Sequence, residues 1–410
     1  MNGTKLYQKL AIVPIVALGL AVAGCNKQAD NGTITPTTTA NTSITTTTGK
    51  NTTLNYSKNS PLDTSNMFTQ TDLTQTVDTT NAKKITLEDG KDVTIDAAGT
   101  YVITGTAKNS TVIVNASADA EVHLVFDNVS ITNTNKPTVY AVNAKNVYVT
   151  TTQNSTNNLK VTGEFTEDDG NDINAVIFAK TNITLNGLGT LNIDSSANGV
   201  ASNSDLKITG GIYNVNTIKH GFKALNSIRV ADGTFNINAT KDGFHSENED
   251  DLTTGYVYIA GGNFTINSED DGIQGTSITE IDGGTFAINA VEGIEGTYVQ
   301  INDGTIKIYA TDDGINASEK ATNYDVQIEI NGGNLDITMA EGVTDALDAN
   351  GTLTINGGYI NITAQFAFDF DLTASLNGGT VIVNGTQVTS ITNSMMEGVG
   401  GPGGFGGPQH

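Results

Sequence analysis

Asp242, Asp271, Glu292, Asp313 and Glu341 each open a short recurring phrase: DGFH, DGIQ, EGIE, DGIN and EGVT. Asp270 and Asp312 precede two of these acids, and Glu295 and Asn316 take the third place after two others. If units carrying the phrase stack, their carboxylates form a column. Two carboxylates one strand spacing apart repel by about 1 kcal/mol in water, and by several times that where solvent is thin. Such a column is relieved by protonation, by flanking bases or by a bound cation. Lys241 and His245 lie near the first corner, but the corner phrases between 270 and 316 contain no base. Carboxylate, amide and carbonyl oxygens at about 2.3 to 2.6 Å are the donors calcium uses. Calcium is therefore the expected cation, with Asp242, Asp270, Asp271, Glu292, Glu295, Asp312, Asp313 and Glu341 as ligands. The competing reading is a solvated acidic edge, since Asp-Gly suits repeated turns for conformational reasons alone. Glu292 in EGIEG speaks against it, because turn chemistry does not ask for glutamate there.

The elements that must position these acids are strands. Gly189, Gly211, Gly233, Gly262, Gly284, Gly304, Gly333, Gly358 and Gly379 each start a unit, and the spacings between them run from 20 to 29 residues. After each glycine the second and fourth places are apolar, as in Phe235 with Ile237 or Phe286 with Ile288, while Thr and Asn fill the alternate places. That is a period of two, one face buried and one polar. A unit of this length with one strong strand, a glycine bend and a second short strand is one coil of a parallel β-helix. Coils then stack at about 4.8 Å, and the longer units place loops at HSENEDDLTTG and SEKATNYD. GTYVITG, EVHLVFDNVSITN and NVYVTTTQN read as the first coils. A β-sandwich fits less well, because its strands would not repeat a long motif in register. In a straight strand the acid and the apolar residue two places on would share a face, so the corner glycine must bend the chain.

The ends are different material. Lys5 and Lys9 precede an apolar run over 10–23 that closes on Ala23-Gly24-Cys25, which looks like a bacterial lipoprotein signal. Cleavage before Cys25 with acylation of its sulfur is the expectation, and a plain secretory signal with a free thiol is the alternative. The mature chain is then exported and lipid-anchored at the extracellular face of the cell membrane. As the only cysteine, Cys25 excludes an internal disulfide, and no other stretch approaches the roughly 20 apolar residues of a membrane span. The expected organisation is a signal peptide over 1–24, the lipidated Cys25 with a Thr/Ser/Asn-rich disordered linker over 25–81, a β-helix over 82–394 and a Gly/Pro-rich tail over 395–410. A formal charge of −24 repels phosphate backbones and anionic headgroups, so nucleic acid is excluded as a partner. A monomer is expected.

GGTFAINAVEGIEG and GTIKIYATDDGINAS resemble the right-handed parallel β-helix carbohydrate-binding family of secreted and lipid-anchored bacterial proteins, whose fold is similar to that of pectate lyases. The resemblance covers 83–393 and is strongest over 210–371. It implies an all-β, right-handed, single-stranded parallel β-helix that binds plant-type polysaccharide, cellulose or polygalacturonate, with bound calcium. It carries the calcium role onto Asp242, Asp270, Asp271, Glu292, Glu295, Asp312 and Asp313. EGVTDALDANG departs from the pattern by adding Asp345 and Asp348, and FAFDFD sets Phe366 where an acid is expected.

Tryptophan is absent, and most aromatics, such as Phe235 and Phe286, fall in inward places. Tyr309 and Tyr359 fall in outward places of the strong strand, Asn236 and Asn238 belong to its flat polar face, and Asn316 lies at the corner. These five are the candidates for ligand contact. A uronate polymer, whose carboxylates complete the shell of a protein-held calcium, suits this surface better than cellulose, which would use the Asn/Thr face. The expected function is non-catalytic polysaccharide binding. One alternative is a calcium-dependent lyase or a glycoside hydrolase. Arg229 stands before a coil start instead of at the corner, Lys219, Lys223 and Lys241 lie closer, and His220 with Asp242 imitates a hydrolase pair. A structural surface adhesin is the third reading.

Overall fold

A computed structural model describes residues 61–166, 172–342 and 344–394. The strong strands stack in parallel and in register: Thr190–Ser195 on Ile212–Thr217, then Thr234–Ala239, Asn263–Ser268, Thr285–Ala290, Thr305–Ala310, Asn334–Met339, Tyr359–Thr363 and Thr380–Val383. A second ladder follows the corner. It runs from Asn198–Ser202 through Phe222–Ala224, Phe244–Ser246, Ile273–Ile281, Ile294–Ile301, Asp313–Ala317 and Asp345–Ala349 to Phe366–Phe370. A third runs through Asn182–Gly187, Asp205–Ile208, Ser227–Val230 and Tyr256–Ile259, and on to Gln327–Ile330 and Thr352–Ile355. Three ladders wound by one chain make a parallel β-helix. The upstream strands Gly99–Lys108, Glu121–Asn133 and Asn146–Thr151 join the same stack as its first coils. At the far end Thr380–Val383 pairs antiparallel with Thr386–Val388, a hairpin where the parallel stacking stops.

Alternation decides which face is inside. The second and fourth places after each unit glycine are buried from Leu191 and Ile193 through Ile360, Ile362 and Val381, with Val383 partly open in the last coil. Because equivalent residues stack, inward aromatics form a file: Tyr213 on Phe235 at 5.2 Å, Phe235 on Phe264 at 4.7 Å, Phe264 on Phe286 at 4.4 Å. Outward asparagines do the same through their amides. Asn192, Asn214 and Asn236 form one ladder, and Asn216, Asn238 and Asn267 another, each Nδ2 donating to the Oδ1 of the coil before it at 2.7 to 3.1 Å. Asn236 and Asn238 are thus exposed, and part of their hydrogen-bonding capacity is spent on their neighbours.

The corner glycine is dictated by crowding. A Cβ on Gly272 would lie 2.5 Å from the Gly293 carbonyl oxygen and 2.5 Å from Ile288 Cγ2, and one on Gly293 would lie 2.4 Å from the Gly314 carbonyl oxygen. The glycine faces the interior, as does the apolar residue after it, so the chain bends there and turns the acid outward.

The expected disordered linker to residue 81 is corrected over its last part. Residues 61–81 are placed against the solenoid. Thr69 caps the helix Gln70–Leu73 in a reciprocal capping box with Asp72, and Met67, Phe68 and Leu73 bury against Ala231 and Tyr258. Buried Asp72 pairs with Lys207 Nζ at 2.7 Å and accepts from Thr184 Oγ1 at 2.9 Å. Lysine and threonine on an outward sheet face thus give this segment a docking site that its threonine-rich surroundings conceal. Among the described residues no helix is long and apolar enough to cross a membrane. Cys25, the signal peptide, the linker before 61 and the tail over 395–410 lie outside the described residues.

Candidate functional site

Register sets the acids. Phe244, Ile273, Ile294 and Ile315 stack as partners, and the residue two places before each is Asp242, Asp271, Glu292 or Asp313. The backbone confirms the column: Gly243, Gly272 and Gly293 donate to the carbonyls of Asp271, Glu292 and Asp313 at 2.8 to 3.0 Å. A second column lies one residue beyond the apolar position, in the order Lys223, His245, Gln274, Glu295, Asn316, Asp348, Asp369.

Glu341 does not belong to the first column. Asp313 pairs with Asp345, and Ile315 with Leu347. The stretch between Met339 and Asp345 is longer than the matching stretch between Ala310 and Asp313, so Glu341 and Gly342 sit outside the stack and both are exposed. The phrase in register is Asp345-Ala346-Leu347-Asp348, with alanine in the glycine's place. Phe366 pairs with Asp345 and ends the column.

At the centre, Asp271, Glu292 and Glu295 each offer an oxygen within 4.8 Å of the other two, and Asp242, Asp270 and Asp271 form an overlapping set. Asp271 is 5% exposed and Glu295 3%. Burial, then the charges of Asp242, Glu295 and Glu292, push the Asp271 carboxyl far above the carboxylate range. Burial and the Glu295 charge push Glu292 up as well. Lower in the column, burial and then Asp348 and Glu292 raise Asp313 to about 8, and burial with Asp369 and Asp345 raises Asp348 to about 6. These are groups that resist ionising unless positive charge arrives. Oxygens are also left over: Asn316 Oδ1, Asp345 Oδ1 and Asp348 Oδ1 are buried with no hydrogen-bond partner, while Asn316 Nδ2 donates to Glu292 at 2.9 Å.

The corner phrases between 270 and 316 contain no base, but two lysines reach the acids from outside them. Lys320, from the loop after Asp313–Ala317, sets its Nζ 2.8 Å from Glu295 Oε1, and Lys241 sets its own 2.6 Å from Asp270 Oδ2. Gln274 donates to Asp271 at 2.6 Å and to Glu295. Neither lysine touches Asp271, Glu292 or Asp313 in an ion pair among the described residues. Together with His220 and His245 these side chains line an open groove of about 330 Å³.

Asp242 has a different neighbourhood from the other acids. Its Oδ2 lies 2.5 Å from His245 Nδ1 and 3.3 Å from His220 Nδ1. Burial disfavours its charge, but both imidazoles outweigh that and hold its carboxyl well below the ordinary range. Burial opposes charge on His245 too, yet Asp242 and Glu247 raise its pKa, whereas His220 is lowered, first by burial. Tyr309 and Tyr359 are outward as expected, 45% and 46% exposed. They occupy different columns of the strand before the corner: Tyr309 pairs with Thr338, and Tyr359 with Asn334. They make no common platform with the acids.

The sequence matches the family described as carbohydrate-binding domain-containing protein over residues 89–296 and 291–394. The chain belongs to that family. Both columns fall inside the matched region. A carbohydrate-binding domain-containing protein of Acetivibrio thermocellus is 33% identical over 124 residues, 30% of this chain and 43% of that relative, so the chain spans less than half the relative's length. A solved structure described as the polysaccharide lyase-like protein from C. thermocellum, a gadolinium derivative, is 25% identical with a TM-score of 0.48, covering 64% of this chain and 98% of that one.

Proposed function

We propose that this carbohydrate-binding domain takes an acidic polysaccharide of the polygalacturonate type through calcium held at the stacked corners, without breaking the chain. The observation that carries the reading is the set Asp271, Glu292 and Glu295, the first and last buried and Glu292 half-buried, with oxygens within 4.8 Å and flanked by the unpartnered Asn316 Oδ1. Hard oxygen donors in such number suit calcium, and a set that does not close the shell leaves positions for uronate carboxylates. Asp270, Asp312 and Asp313 extend the same donor surface. The exposed Asn and Tyr side chains of the preceding strand, Asn236, Asn238, Tyr309 and Tyr359, offer a neutral face for sugar rings.

The test is affinity electrophoresis in gels carrying polygalacturonate. Glu292→Gln with Glu295→Gln should lose most of the retardation that wild type shows in calcium while remaining folded, with a melting temperature in chelator no lower than wild type's. A double variant retarded like wild type overturns calcium bridging here. Lys241 and Lys320 beside the acids favour a second reading, a calcium-dependent lyase; unsaturated products absorbing in the ultraviolet would reveal it. We further propose export and anchoring through an acylated Cys25, which predicts that Cys25→Ser moves the protein to the soluble fraction.

A further inference from the structure

The head of the column carries chemistry that calcium does not use. His220 and Asp242 occupy equivalent corner places of successive coils, since Phe222 pairs with Phe244, and His245 stands three residues after Asp242. The two imidazole rings stack at 4.4 Å with 27° between their planes. Both Nδ1 atoms face one carboxylate oxygen, Asp242 Oδ2, at 3.3 and 2.5 Å. One ligating atom from each of the three side chains falls within 4.8 Å of the others. The far nitrogen of His245 is held in turn: its Nε2 lies 3.2 Å from Glu247 Oε2.

We propose that His220, Asp242 and His245 form a site for a zinc-class divalent cation, separate from the calcium-type acids further down the column. Imidazole nitrogen suits zinc and its neighbours in the transition series, whereas calcium takes oxygen. Zinc with bonds of about 2.0 to 2.2 Å in tetrahedral array sets its donors roughly 3.3 Å apart. The His220 to Asp242 separation already matches that, the His245 to Asp242 contact opens by less than an ångström, and the His220 ring turns in its plane from the Asp242 amide, which its Nδ1 accepts at 3.3 Å, towards the ion. The cation takes the place of the proton between His245 Nδ1 and Asp242, and that proton leaves to solvent. Glu247 keeps the Nε2 proton and fixes the ring, the carboxylate–histidine–metal arrangement that orients ligating histidines. Two histidines and one carboxylate leave a fourth position open towards the groove shared with Asp271 and Glu295. Lys223, the register partner of His245, opposes the ion's charge, while Asp242, Glu247 and Asp270 favour it. This site stands whether or not the polysaccharide reading does.

The test is calorimetric titration of the chelator-stripped full chain with zinc chloride in excess calcium, which fills the oxygen sites first. One calcium-resistant equivalent of zinc is expected. His220→Gln and His245→Gln should each weaken it at least tenfold, and Glu247→Ala about tenfold. Cobalt substituted for zinc should show a visible absorption band that both histidine variants lose. All variants retain Cys25 and His410, so zinc held at those residues would survive the substitutions. Melting curves in calcium report whether each variant folds; should the histidine variants not fold, Glu247→Ala and the cobalt band decide. Absence of calcium-resistant zinc, or equal zinc binding by wild type and variants, overturns the site.

Discussion

Asp271 shows how the site balances at the level of single residues. Buried beside Asp242, Glu292 and Glu295, its carboxyl is pushed far up, so in calcium-free protein it costs stability when ionised. Asp271→Asn should therefore raise the melting temperature in chelator and shrink the further rise that calcium gives. A tenfold loss of calcium affinity removes about 1.4 kcal/mol of that rise. Differential scanning fluorimetry with calcium and with chelator reads both, and an unchanged calcium response would favour the solvated edge. Register makes a second prediction. Glu341→Gln should leave the calcium response within about 0.5 kcal/mol of wild type, while Asp345→Asn should reduce it; the opposite order would restore Glu341 to the column. Most of the acids were legible because an acid, a glycine and an apolar residue repeat at coil length. Asp345 was hidden by the extra residues before it and by alanine in the glycine's place. Lys320 was hidden because a loop's reach leaves no periodic trace.

Among the elements, the strands were the legible part. Their alternation fixes the inward face, and equal spacing of glycine, strand and corner fixes the stacking. The docked segment around Gln70–Leu73 was not legible: its anchors are few, Met67, Phe68 and Leu73, and their partners lie far along the chain. Burying each contributes about 1.5 to 3 kcal/mol, so the contact depends on Asp72 as well. Burial raises the Asp72 pKa, but the Lys207 and Thr69 hydrogen bonds more than reverse it, leaving it lowered. A carboxyl lowered in the folded state stabilises above its unfolded pKa, near 3.9, and loses that contribution as pH falls through the folded value. The segment should accordingly stay docked at neutral pH and loosen only below about pH 4. Hydrogen-exchange protection of the Asp72 and Leu73 amides, measured against the intrinsic rate at each pH, should be high at pH 6 and fall at pH 3. Asp72→Asn should produce the same loosening at pH 7, costing roughly 3 kcal/mol. Equal exchange in both proteins would show that the apolar anchors suffice.

At the scale of the whole molecule, a chain of charge −24 meets a polyanion only if something reverses the local field. That reversal is proposed at one edge of the parallel β-helix, where coil stacking gathers Asp271, Glu292, Glu295 and Asp313. Cations held there would turn the most repulsive strip of the surface into the one that receives carboxylates. The direct measurement is retardation of the full chain in native gels carrying polygalacturonate, run in calcium and again in chelator. The account predicts strong retardation in calcium and none in chelator. Equal retardation in both would contradict calcium bridging and move binding to the neutral asparagine face.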